Sequence, residues 1–449
     1  MGCNSYAKEA APSTVWYSVN SGEMGGVRFA FRAMAIFALV LFALARFVIG
    51  WVVLLLLLQP RGRRQDWFAS CVVGLFRALG ATFVKVGQIM STRPDLFPPH
   101  VIKALETLQD NVGPFEYGLV QQTFLEEFGK PPEELFAEIS PVPIASASVA
   151  QVHKARLKDG RIVAVKVRRP KLDELVAFDL KVMRGFAHVM AVIPSIGLMA
   201  PVESVEEFGR GIKMQLDFTI EARNNRKFVE NFKDDRDVIF PGLIDGLCSA
   251  RVLTMEFVDG TKILNFRQTP SDPKRLAEIG FRVLLKMVFE DGFVHADLHP
   301  GNIFITRDDR VAILDLGLVG ELDGRHRAGF ARYFAAWAQG DGKTMAALMA
   351  ELSPGRKIVN YAGFEAAVVA FVQKYYGKRL GEVQVSLVFM DMMNILRKYR
   401  VRANPTFTLV NIAIAVTEGI GKQLDPDVDL MAAALPFFAK FNFFATAAG

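Results

Sequence analysis

The chain has 449 residues, of which 51% are hydrophobic and 22% charged, so it is rich enough in apolar residues for two or three folded domains and too ordinary in charge for a disordered protein. Its formal net charge is +6, but no basic run is longer than Arg61-Gly-Arg-Arg64, which favours contact with a membrane surface over binding of nucleic acid. Cys3, Cys71 and Cys248 have no paired spacing, which argues against a disulfide framework and against a CxxC metal or redox site.

The first predicted element is an apolar run of 25 residues, Met34 to Leu58, interrupted only by Arg46. A helix of this length measures about 37 Å, and the hydrocarbon core of a bilayer measures about 30 Å. The run therefore predicts a membrane segment at 34–58, behind an N-terminal tail at 1–33. An interfacial hairpin, broken into two halves at Arg46, is the alternative.

The charges beside this run predict its orientation. Arg61, Arg63 and Arg64 follow the run, whereas Arg28 and Arg32 precede it. Because cytoplasmic flanks carry the excess of Lys and Arg, we expect the body of the protein in the cytoplasm, with the segment in the inner or cytoplasmic membrane. Membrane lipid is thus a predicted partner.

Helices and then strands follow in chain order. Apolar periodicity predicts three helices before the first strands, at 67–97, 100–108 and 117–128. Two β-rich runs, Val149–Leu157 and Ile162–Val167, are joined by Lys158-Asp-Gly160, which predicts a hairpin. This hairpin is interpreted as the entry to a nucleotide-binding sheet.

The second half of the chain is predicted to be mainly helical. Helix is predicted from 171 to 226, strands at 237–240 and 251–257, and an amphipathic helix at 274–291. Beyond Gly317 the pattern is almost wholly helical, with breaks marked by Pro354, Pro405, Pro426 and Pro436.

Polar residues with a characteristic spacing follow the helix at 274–291, in His295-Ala-Asp-Leu-His-Pro-Gly-Asn302 and Asp315-Leu-Gly317. In the kinase template an Asp of the catalytic loop faces the nucleophile, an Asn five residues later binds one Mg²⁺, and the Asp of an Asp-x-Gly turn binds another. Asp297 is therefore predicted to be a catalytic base or metal-positioning group, and Asn302 and Asp315 to bind Mg²⁺. The alternative is a polar loop with helix caps.

The same template assigns residues upstream. Lys166 ends Val163-Ala-Val-Lys166 on the second strand of the hairpin, where a lysine contacts the α- and β-phosphates of ATP. Glu221 is predicted to be its partner, because Asp217 and Glu221 stand four apart on one helical face; a solvated charged face is the alternative. Glu256 and Val258 stand where the template has its adenine-binding hinge, whose backbone groups are the ligands.

Three departures from protein kinases are informative. Ala296 replaces the Arg that regulated kinases carry before the catalytic Asp, and no Ala-Pro-Glu element follows Gly317. Residues with a Cβ atom replace the Gly-rich loop over the phosphates, at Ala145, Ser146, Ala147 and Ser148. We therefore expect an unusual nucleotide geometry and little platform for a peptide substrate.

With these residues in view, the chain resembles the UbiB family of atypical kinase-like proteins, which is associated with isoprenoid quinone biosynthesis. The resemblance covers about residues 79–321. Four motifs carry it: Phe83-Val-Lys-Val-Gly-Gln88 followed by Ser91-Thr-Arg-Pro-Asp95, then Leu105-Glu-Thr-Leu-Gln-Asp110, then Ala145–Ser148 with Gln151-Val-His153, and finally His295–Asn302.

The resemblance implies an α+β, protein-kinase-like fold with two lobes: a small antiparallel β N-lobe and a helical C-lobe, preceded by a helical extension. On this chain it gives a helical extension at 59–140, an N-lobe with a helical insertion at 141–260 and a C-lobe at 261–449. It also implies an ATPase that binds Mg²⁺ with ATP or ADP and supports ubiquinone biosynthesis without protein kinase activity in trans. A quinone precursor or quinone-biosynthesis proteins are the implied partners.

Regulation is implied by the same resemblance. The extension, carrying Lys85 and Gln88, is expected to fold over the active site, with Lys85 meeting a Glu-x-Asp element. That element reads Gln215-Leu-Asp217 here, so one carboxylate is an amide and the expected clamp is weaker. The apolar stretch Leu430–Ala439 is broken by Pro436, so the membrane anchor is expected near the N-terminus. A small-molecule or lipid kinase and a nucleotide-sensing scaffold remain alternatives, and the oligomeric state stays open.

Overall fold

The computed structural model describes residues 26–91, 97–108, 113–192, 201–353, 358, 360–376, 385–401 and 405–425. Several predicted features lie outside these ranges: the tail before residue 26, residues 92–95 and 109–110 of two motifs, the breaks at Pro354, Pro426 and Pro436, and the stretch 430–439.

The chain forms two compact units. The described residues of the first lie within Met1–Ser91, Phe97–Lys158 and Val165–Leu216, and those of the second within Asp159–Ala164 and Asp217–Gly449. The predicted domain boundaries at 140 and 260 stay a prediction.

The helices are α1 Gly26–Leu56, α2 Arg61–Leu79, α3 Ala81–Ser91, α4 Pro99–Leu105, α5 Tyr117–Phe128, α6 Pro132–Leu135, α7 Leu172–Ala191, α8 Pro201–Leu216, α9 Phe218–Asn231, α10 Pro273–Leu285, α11 Gly324–Ala338, α12 Gly342–Leu352, α13 Tyr361–Tyr375, α14 Val385–Lys398 and α15 Pro405–Leu424. The strands are β1 Glu138–Ile139, β2 Ala145–Ser146, β3 Ala150–Arg156, β4 Ile162–Arg168, β5 Val238–Ile239, β6 Val252–Glu256, β7 Gly260–Lys262, β8 Phe293–His295, β9 Ile303–Thr306, β10 Val311–Ile313 and β11 Val319–Glu321.

The apolar run near the N-terminus forms one unbroken helix. α1 passes through Arg46 without a break, so the alternative of a hairpin broken at Arg46 is wrong. Its segment Ala30–Leu56 is long and apolar enough to cross a membrane, and it is the one such helix in the described part of the chain. The many Ala and Leu residues of α1 and the absence of proline within it favour continuity.

Two long predicted helices are interrupted. The helix predicted at 67–97 is divided at Gly80, whose φ of 96° requires glycine and whose N–H closes α2 by donating to Phe76 and Arg77 carbonyl oxygens. The helix predicted at 171–226 is divided at Asp217, which is extended and caps α9. Asp is a favoured N-cap because its carboxylate accepts hydrogen bonds from the first turn.

The sheet of the first unit contains β1, β3 and β4 in that order, with β2 also paired to β3. β3 and β4 confirm the predicted hairpin, whereas β1 and β2 were not predicted. In β4 the side chains alternate, and Val163, Val165 and Val167 are buried on one face. Residues 162–164 of β4 belong to the second unit, where the Phe257 N–H donates to the Ile162 carbonyl oxygen at 3.2 Å.

Two small sheets lie in the second unit. One has the order β5-β10-β9-β7, with β10 parallel to β5 and antiparallel to β9, and the other pairs β8 with β11. β11 interrupts the region that was predicted to be almost wholly helical. The core beneath them includes Phe228, whose ring centroid lies 4.9 Å from that of Phe240 and 4.8 Å from that of Phe293.

The helix that leads to the polar loop changes its geometry before it ends. α10 begins after Asp272, which accepts a hydrogen bond from the Lys274 N–H, and stops at Leu285. A π-helical turn, Lys286–Asp291, then replaces the last turns of the predicted helix. Gly292 ends it at φ 60°, where a Cβ atom would also lie 2.6 Å from the Leu322 carbonyl oxygen. Insertions of this kind are frequent near functional sites.

Candidate functional site

His295 joins the two polar segments of the second unit. Its ring is fully buried, its Nδ1 accepts a hydrogen bond from the Asp297 N–H at 3.1 Å, and its Nε2 lies 3.2 Å from the Leu314 carbonyl oxygen. Because Nδ1 accepts, the proton is on Nε2, which donates to Leu314. Burial lowers the pKa of His295, which keeps the ring neutral. Both ring nitrogens are therefore engaged, which suits a structural role rather than metal binding.

Asn302 is fixed by the loop that precedes it. His299 Nδ1 accepts a hydrogen bond from the Gly301 N–H at 3.0 Å and so caps the short turn Pro300–Asn302. The Asn302 Nδ2 atom donates to the Asp297 carbonyl oxygen at 3.3 Å, and the Asn302 carbonyl oxygen accepts from the Leu314 N–H at 2.9 Å. With Nδ2 used in this way, Oδ1 is the side-chain atom suited to a cation.

The Asp315-Leu-Gly turn lies beside Glu221. Asp315 has a φ of 57°, in the left-handed region that Asp adopts more readily than most residues. A Cβ atom built on Gly317 would lie 3.6 Å from Asp315 Oδ1 and 3.7 Å from Glu221 Oε2. Two carboxylates that come from different elements therefore both lie beside Gly317.

Helix α9 supports this turn with residues that the sequence did not single out. Asn224 is buried, and its Nδ2 donates to the Leu316 carbonyl oxygen at 2.9 Å. Asn225 is also buried, and its Nδ2 donates to the Pro241 carbonyl oxygen at 3.0 Å. Both amides fall on the apolar face of α9 together with Glu221 and Phe228. Polar residues at core positions of an amphipathic helix were the signal that could have found them.

The donor set of the second unit suits a hard divalent cation. Asp297, Asn302, Asp315 and Glu221 provide carboxylate and amide oxygens, which Mg²⁺ prefers. No three His, Cys, Asp or Glu side chains converge into a complete metal cage within the described ranges. Such a partial set suits Mg²⁺, which keeps water and phosphate oxygens among its ligands.

Lys166 and the Ala-rich loop lie in the first unit. Lys166 is half-buried on β4, on the face opposite Val163 and Val165. Ala145 and Ser146 form β2, opposite Val152 and Gln151 of β3. The Ala147 N–H donates to the Ala150 carbonyl oxygen at 2.8 Å, and Ser148 is buried in the turn. The loop is therefore a short connection between β2 and β3, closed by a backbone hydrogen bond, rather than an open Gly-rich flap.

Arg169 holds this loop, and the sequence analysis missed it. Its side chain is buried; Nε donates to the Ala147 carbonyl oxygen at 2.8 Å, and Nη2 donates to Ser146 Oγ at 2.9 Å and to the Gly113 carbonyl oxygen at 2.6 Å. The guanidinium lies 5.3 Å from the centre of the Phe115 ring. A single buried cation thus ties the Ala-rich loop to the segment 113–115.

Gln151 and His153 fix the same segment. Gln151 Oε1 accepts from the Phe115 N–H at 3.0 Å, and its Nε2 donates to His153 Nε2 at 2.9 Å. His153 Nδ1 is consequently protonated and donates to the Ser140 carbonyl oxygen at 2.7 Å. Burial lowers the pKa of His153. Through these hydrogen bonds the two motif residues connect β3 to Phe115 and to Ser140 inside the first unit.

The predicted hinge has its own internal contacts. β6 ends at Glu256, whose N–H donates to the Gly242 carbonyl oxygen at 2.8 Å and whose Oε2 accepts from the Gly242 N–H at 3.0 Å. Val258 follows at a half-buried position before β7. The roles of Glu256 and Val258 in nucleotide binding stay predictions.

The predicted regulatory residues are divided between the units. Lys85 and Gln88 lie on α3 and Gln215 on α8, all in the first unit, and Val86 and Ile212 of these two helices share one apolar cluster. A Cβ atom on Gly87 would collide with Leu108, which explains glycine in this motif. The Gln88 Nε2 atom donates to the Leu108 carbonyl oxygen at 3.0 Å.

Asp217 lies in the second unit. It is the N-cap of α9, where its Oδ1 accepts from the Thr219 N–H at 2.9 Å and from Thr219 Oγ1 at 2.6 Å. The prediction that Asp217 and Glu221 share one helical face is wrong for Asp217, since the helix begins one residue later. The proposed clamp on Lys85 stays a prediction.

Comparisons with known proteins agree with this architecture. Residues 107–349 match the ABC1 atypical kinase-like domain, and residues 368–429 match the UbiB helical domain. The chain is 34% identical over 372 residues to a probable protein kinase UbiB of Vibrio cholerae serotype O1 (strain M66-2), which covers 81% of this chain and 68% of that protein. It is also 34% identical, over 368 residues, to a probable protein kinase UbiB of Aliivibrio fischeri (strain MJ11), covering 80% and 68%.

A solved structure is also similar to this chain. It is the complex of Rv3197 with erythromycin from Mycobacterium tuberculosis, with a TM-score of 0.54 and 23% identity, and the match covers 78% of this chain and 90% of that one. At this identity the likeness shows the fold alone. The predicted α+β kinase-like fold, mostly helical with small and largely antiparallel sheets, is confirmed.

Proposed function

The chain belongs to the UbiB family of proteins with an ABC1 atypical kinase-like domain, and from this we propose that it is a membrane-associated, Mg²⁺-dependent ATPase that supports isoprenoid quinone biosynthesis. Two local arrangements in the second unit support the proposal: Asn302 donates to the Asp297 carbonyl oxygen, and the Asp315 and Glu221 carboxylates both lie beside Gly317. His295 and Asn224 hold the backbone of these two segments by hydrogen bonds. Structural residues thus hold the backbone segments that carry these oxygen donors, which favours a working site over an accidental cluster.

Five residues have distinct roles in the proposed reaction. Asn302 Oδ1 and the Asp315 carboxylate would hold Mg²⁺, which neutralises charge on the phosphates when bound. Asp297 would orient the attacking water and accept its proton. Lys166 would contact the α- and β-phosphates, with Glu221 as its partner. The nucleotide is ATP, or ADP after turnover.

Water suits the role of acceptor better than a protein does. Between the Asp315-Leu-Gly turn and α11, which begins at Gly324, the chain has only the short strand β11. This leaves little room for the segment on which protein kinases seat a peptide. The two relatives are named probable protein kinase UbiB, and this name supports the link to quinone synthesis. A quinone precursor or quinone-biosynthesis proteins are the partners that we propose, with no nucleic acid among them.

The proposal is tested by phosphate release from Mg²⁺-ATP by the purified full chain, with and without liposomes and a phenolic quinone-precursor mimic. We expect Asp315→Asn to lower the rate by about 100-fold or more, since it removes a metal-binding carboxylate. Asp341→Asn is the matched control: Asp341 caps α12 by accepting from the Thr344 N–H, and Asn caps helices equally well. Equal rates in the wild type and Asp315→Asn would refute an ATPase centred on Asp315.

Two alternatives give different results in the same assay. A small-molecule or lipid kinase would transfer the γ-phosphate to the added phenol or lipid, and ³²P would appear in the organic phase. A nucleotide-sensing scaffold would bind ADP, with a rise in melting temperature, and release no phosphate under any condition.

A further inference from the structure

Helix α1 has two contrasting faces. One face packs on the first unit, and Arg32 and Ile36 on it are buried. The other is exposed along the helix and is apolar apart from Arg46, as shown by Phe31, Phe37, Phe42, Ile49, Val53 and Leu56. A helix in water would show the opposite arrangement, with polar residues outside. An apolar face of this length marks an interaction surface.

The N-terminal part of α1 is attached to the interior of the first unit by hydrogen bonds of Arg32. Arg32 donates from Nε to Asp179 Oδ1 at 3.1 Å and from Nη2 to Asp179 Oδ2 at 2.9 Å, and Nη2 also reaches the Leu79 carbonyl oxygen at 2.6 Å. The Arg32 side chain is 7% exposed and that of Asp179, on α7, is 0% exposed. This end of α1 therefore cannot leave the protein without breaking a buried ion pair.

The C-terminal part of α1 contacts α2 through two tryptophan rings. Trp67 Nε1–H lies 3.4 Å from the Phe47 carbonyl oxygen, and the Arg46 guanidinium lies 5.1 Å from the centre of the Trp67 ring. The Arg64 guanidinium lies 5.7 Å from the centre of the Trp51 ring. A Cβ atom at position 50 of α1 would collide with Trp67, so glycine there permits close contact. The two helices are antiparallel neighbours over this length.

These two attachments limit how α1 can meet a membrane. From Arg32 to Trp51 the helix advances about 28 Å, which is close to the thickness of the hydrocarbon core, about 30 Å. If α1 crossed the bilayer over this length, α2 would have to enter the hydrocarbon beside it, with Arg64 near Trp51 and Asp66 near the deeper Phe47. Charged groups at that depth are strongly unfavourable.

We propose that α1 lies in the plane of the membrane interface and does not cross the bilayer, with its exposed apolar face in the acyl chains. This deepens the proposed membrane association and rests on it. Charge complementarity identifies the occupant as a bilayer with anionic headgroups: Arg61 and Arg63, both exposed, directly follow the exposed leucines at 55–58. Trp51 and Trp67 stand at the boundary, where indole rings are favoured.

The test measures the depth of three exposed positions of α1 in the full chain. A fluorescent bimane is attached to Phe31→Cys, Phe42→Cys or Val53→Cys in a background of Cys3→Ser, Cys71→Ala and Cys248→Ala. The labelled protein binds vesicles of phosphatidylcholine and phosphatidylglycerol that carry a nitroxide either near the headgroup or deep in the acyl chain. Leu125→Cys is the control, because Leu125 is exposed and lies on α5 and not on α1.

An in-plane helix predicts that all three labels are quenched several-fold more strongly by the shallow nitroxide than by the deep one, and that the Leu125 label is quenched by neither. A label at 42 that is quenched most by the deep nitroxide, with shallow labels at 31 and 53, would show a crossing helix and overturn the proposal. Absence of quenching at all three positions would overturn it too, and membrane association with it. None of these readings involves nucleotide, so they leave the ATPase test independent.

Discussion

The Arg169 guanidinium donates a hydrogen bond from Nε to the Ala147 carbonyl oxygen at 2.8 Å, so a buried cation holds the tip of the Ala-rich loop. Its Nη2 atom reaches Ser146 and Gly113 at the same time. Arg suits this position because its planar group presents several donors in a fixed fork, whereas Lys presents one compact ammonium. The conformation of a loop that is expected to face phosphates thus depends on a residue outside the loop.

Replacing Arg169 with Lys tests this dependence. Lys cannot reach Ala147, Ser146 and Gly113 together, so buried acceptors lose their donor. We expect the free energy of unfolding to fall by about 2–3 kcal/mol, and ATP affinity to fall with it if the loop contacts nucleotide. Urea unfolding measures the first effect and calorimetric titration with Mg²⁺-ATP the second.

Arg156→Lys is the matched control for this change. Arg156 also lies in the first unit, but its ion pair with Glu138 is exposed at 48% and 70% of the two side chains. We expect this substitution to lower the free energy of unfolding by less than about 1 kcal/mol, because exposed ion pairs contribute little to stability. Equal effects of the two substitutions would contradict a special role for Arg169.

Asn224 gives a second prediction, which separates an effect on the position of the Asp315-Leu-Gly turn from an effect on the stability of the fold. Asn224→Leu removes the donor to the Leu316 carbonyl oxygen within the Asp315-Leu-Gly turn. Asn225→Leu removes a similar buried bond, to Pro241, outside that turn. We expect each to lower the unfolding free energy by about 1–3 kcal/mol. Only Asn224→Leu is expected to raise the Mg²⁺ concentration needed for half-maximal phosphate release, by about tenfold.

The readout for this pair is a Mg²⁺ titration of ATP turnover at a temperature where both variants are folded. If the two variants shift the Mg²⁺ requirement equally, Asn224 does not act through the turn. If Asn224→Leu unfolds, Asn224→Ala provides a second variant at the same position, because it removes the donor without adding bulk or charge.

His153 gives a prediction about pH. Burial holds its pKa below the usual value of about 6.5, while its ring is neutral between Gln151 and Ser140. Between the lowered pKa and about 6.5 the unfolded chain binds more protons than the folded one, so this contribution to stability is present above that window and is lost as the pH falls through it. Urea unfolding midpoints at pH 7.5 and 5.5 should therefore differ less in His153→Gln than in the wild type. An unchanged difference would show that His153 does not titrate in this way.

The spacing of Asp297, Asn302 and Asp315 could be interpreted from the sequence because the chemistry requires those residue types in that order. The structure places Asn302 against the Asp297 backbone and Asp315 near Glu221, and the roles of these residues stay predictions. The Tyr117–Phe128 helix and the β3–β4 hairpin were also predictable, since apolar periodicity and a turn with Gly160 are local signals.

Other features depend on contacts between distant segments. Arg169 appears in the sequence as one more basic residue, and only the fold brings it to Gly113 and Ala147. The break at Asp217 was missed because helical patterns on both sides run together, and the capping bond to Thr219 decides the boundary. The contacts of α1 with Asp179 and Trp67 join residues far apart in the chain, and no local pattern predicts them.

The Arg32–Asp179 pair gives the last prediction. Burial raises the pKa of Asp179, with Arg32 acting in the opposite direction. Arg32→Leu would leave a buried carboxyl group without its cation, at a cost of about 3–5 kcal/mol in the free energy of unfolding. In Arg32→Leu/Asp179→Leu both charges are gone, so most of that loss should be recovered.

Arg226→Leu is the control for this cycle, because the Arg226–Asp245 pair is exposed at 54% and 74% of its side chains and should contribute about 0–1 kcal/mol. Urea unfolding in a neutral detergent measures all four variants, including Asp179→Leu alone. A double variant as unstable as Arg32→Leu would show that packing of the Arg32 stem, rather than the buried charge of Asp179, attaches α1 to the first unit. Recovery in the double variant would instead establish the ion pair as a charge-compensated attachment, with apolar packing around Ile36 and Leu79 sufficient to hold the helix once both charges are absent.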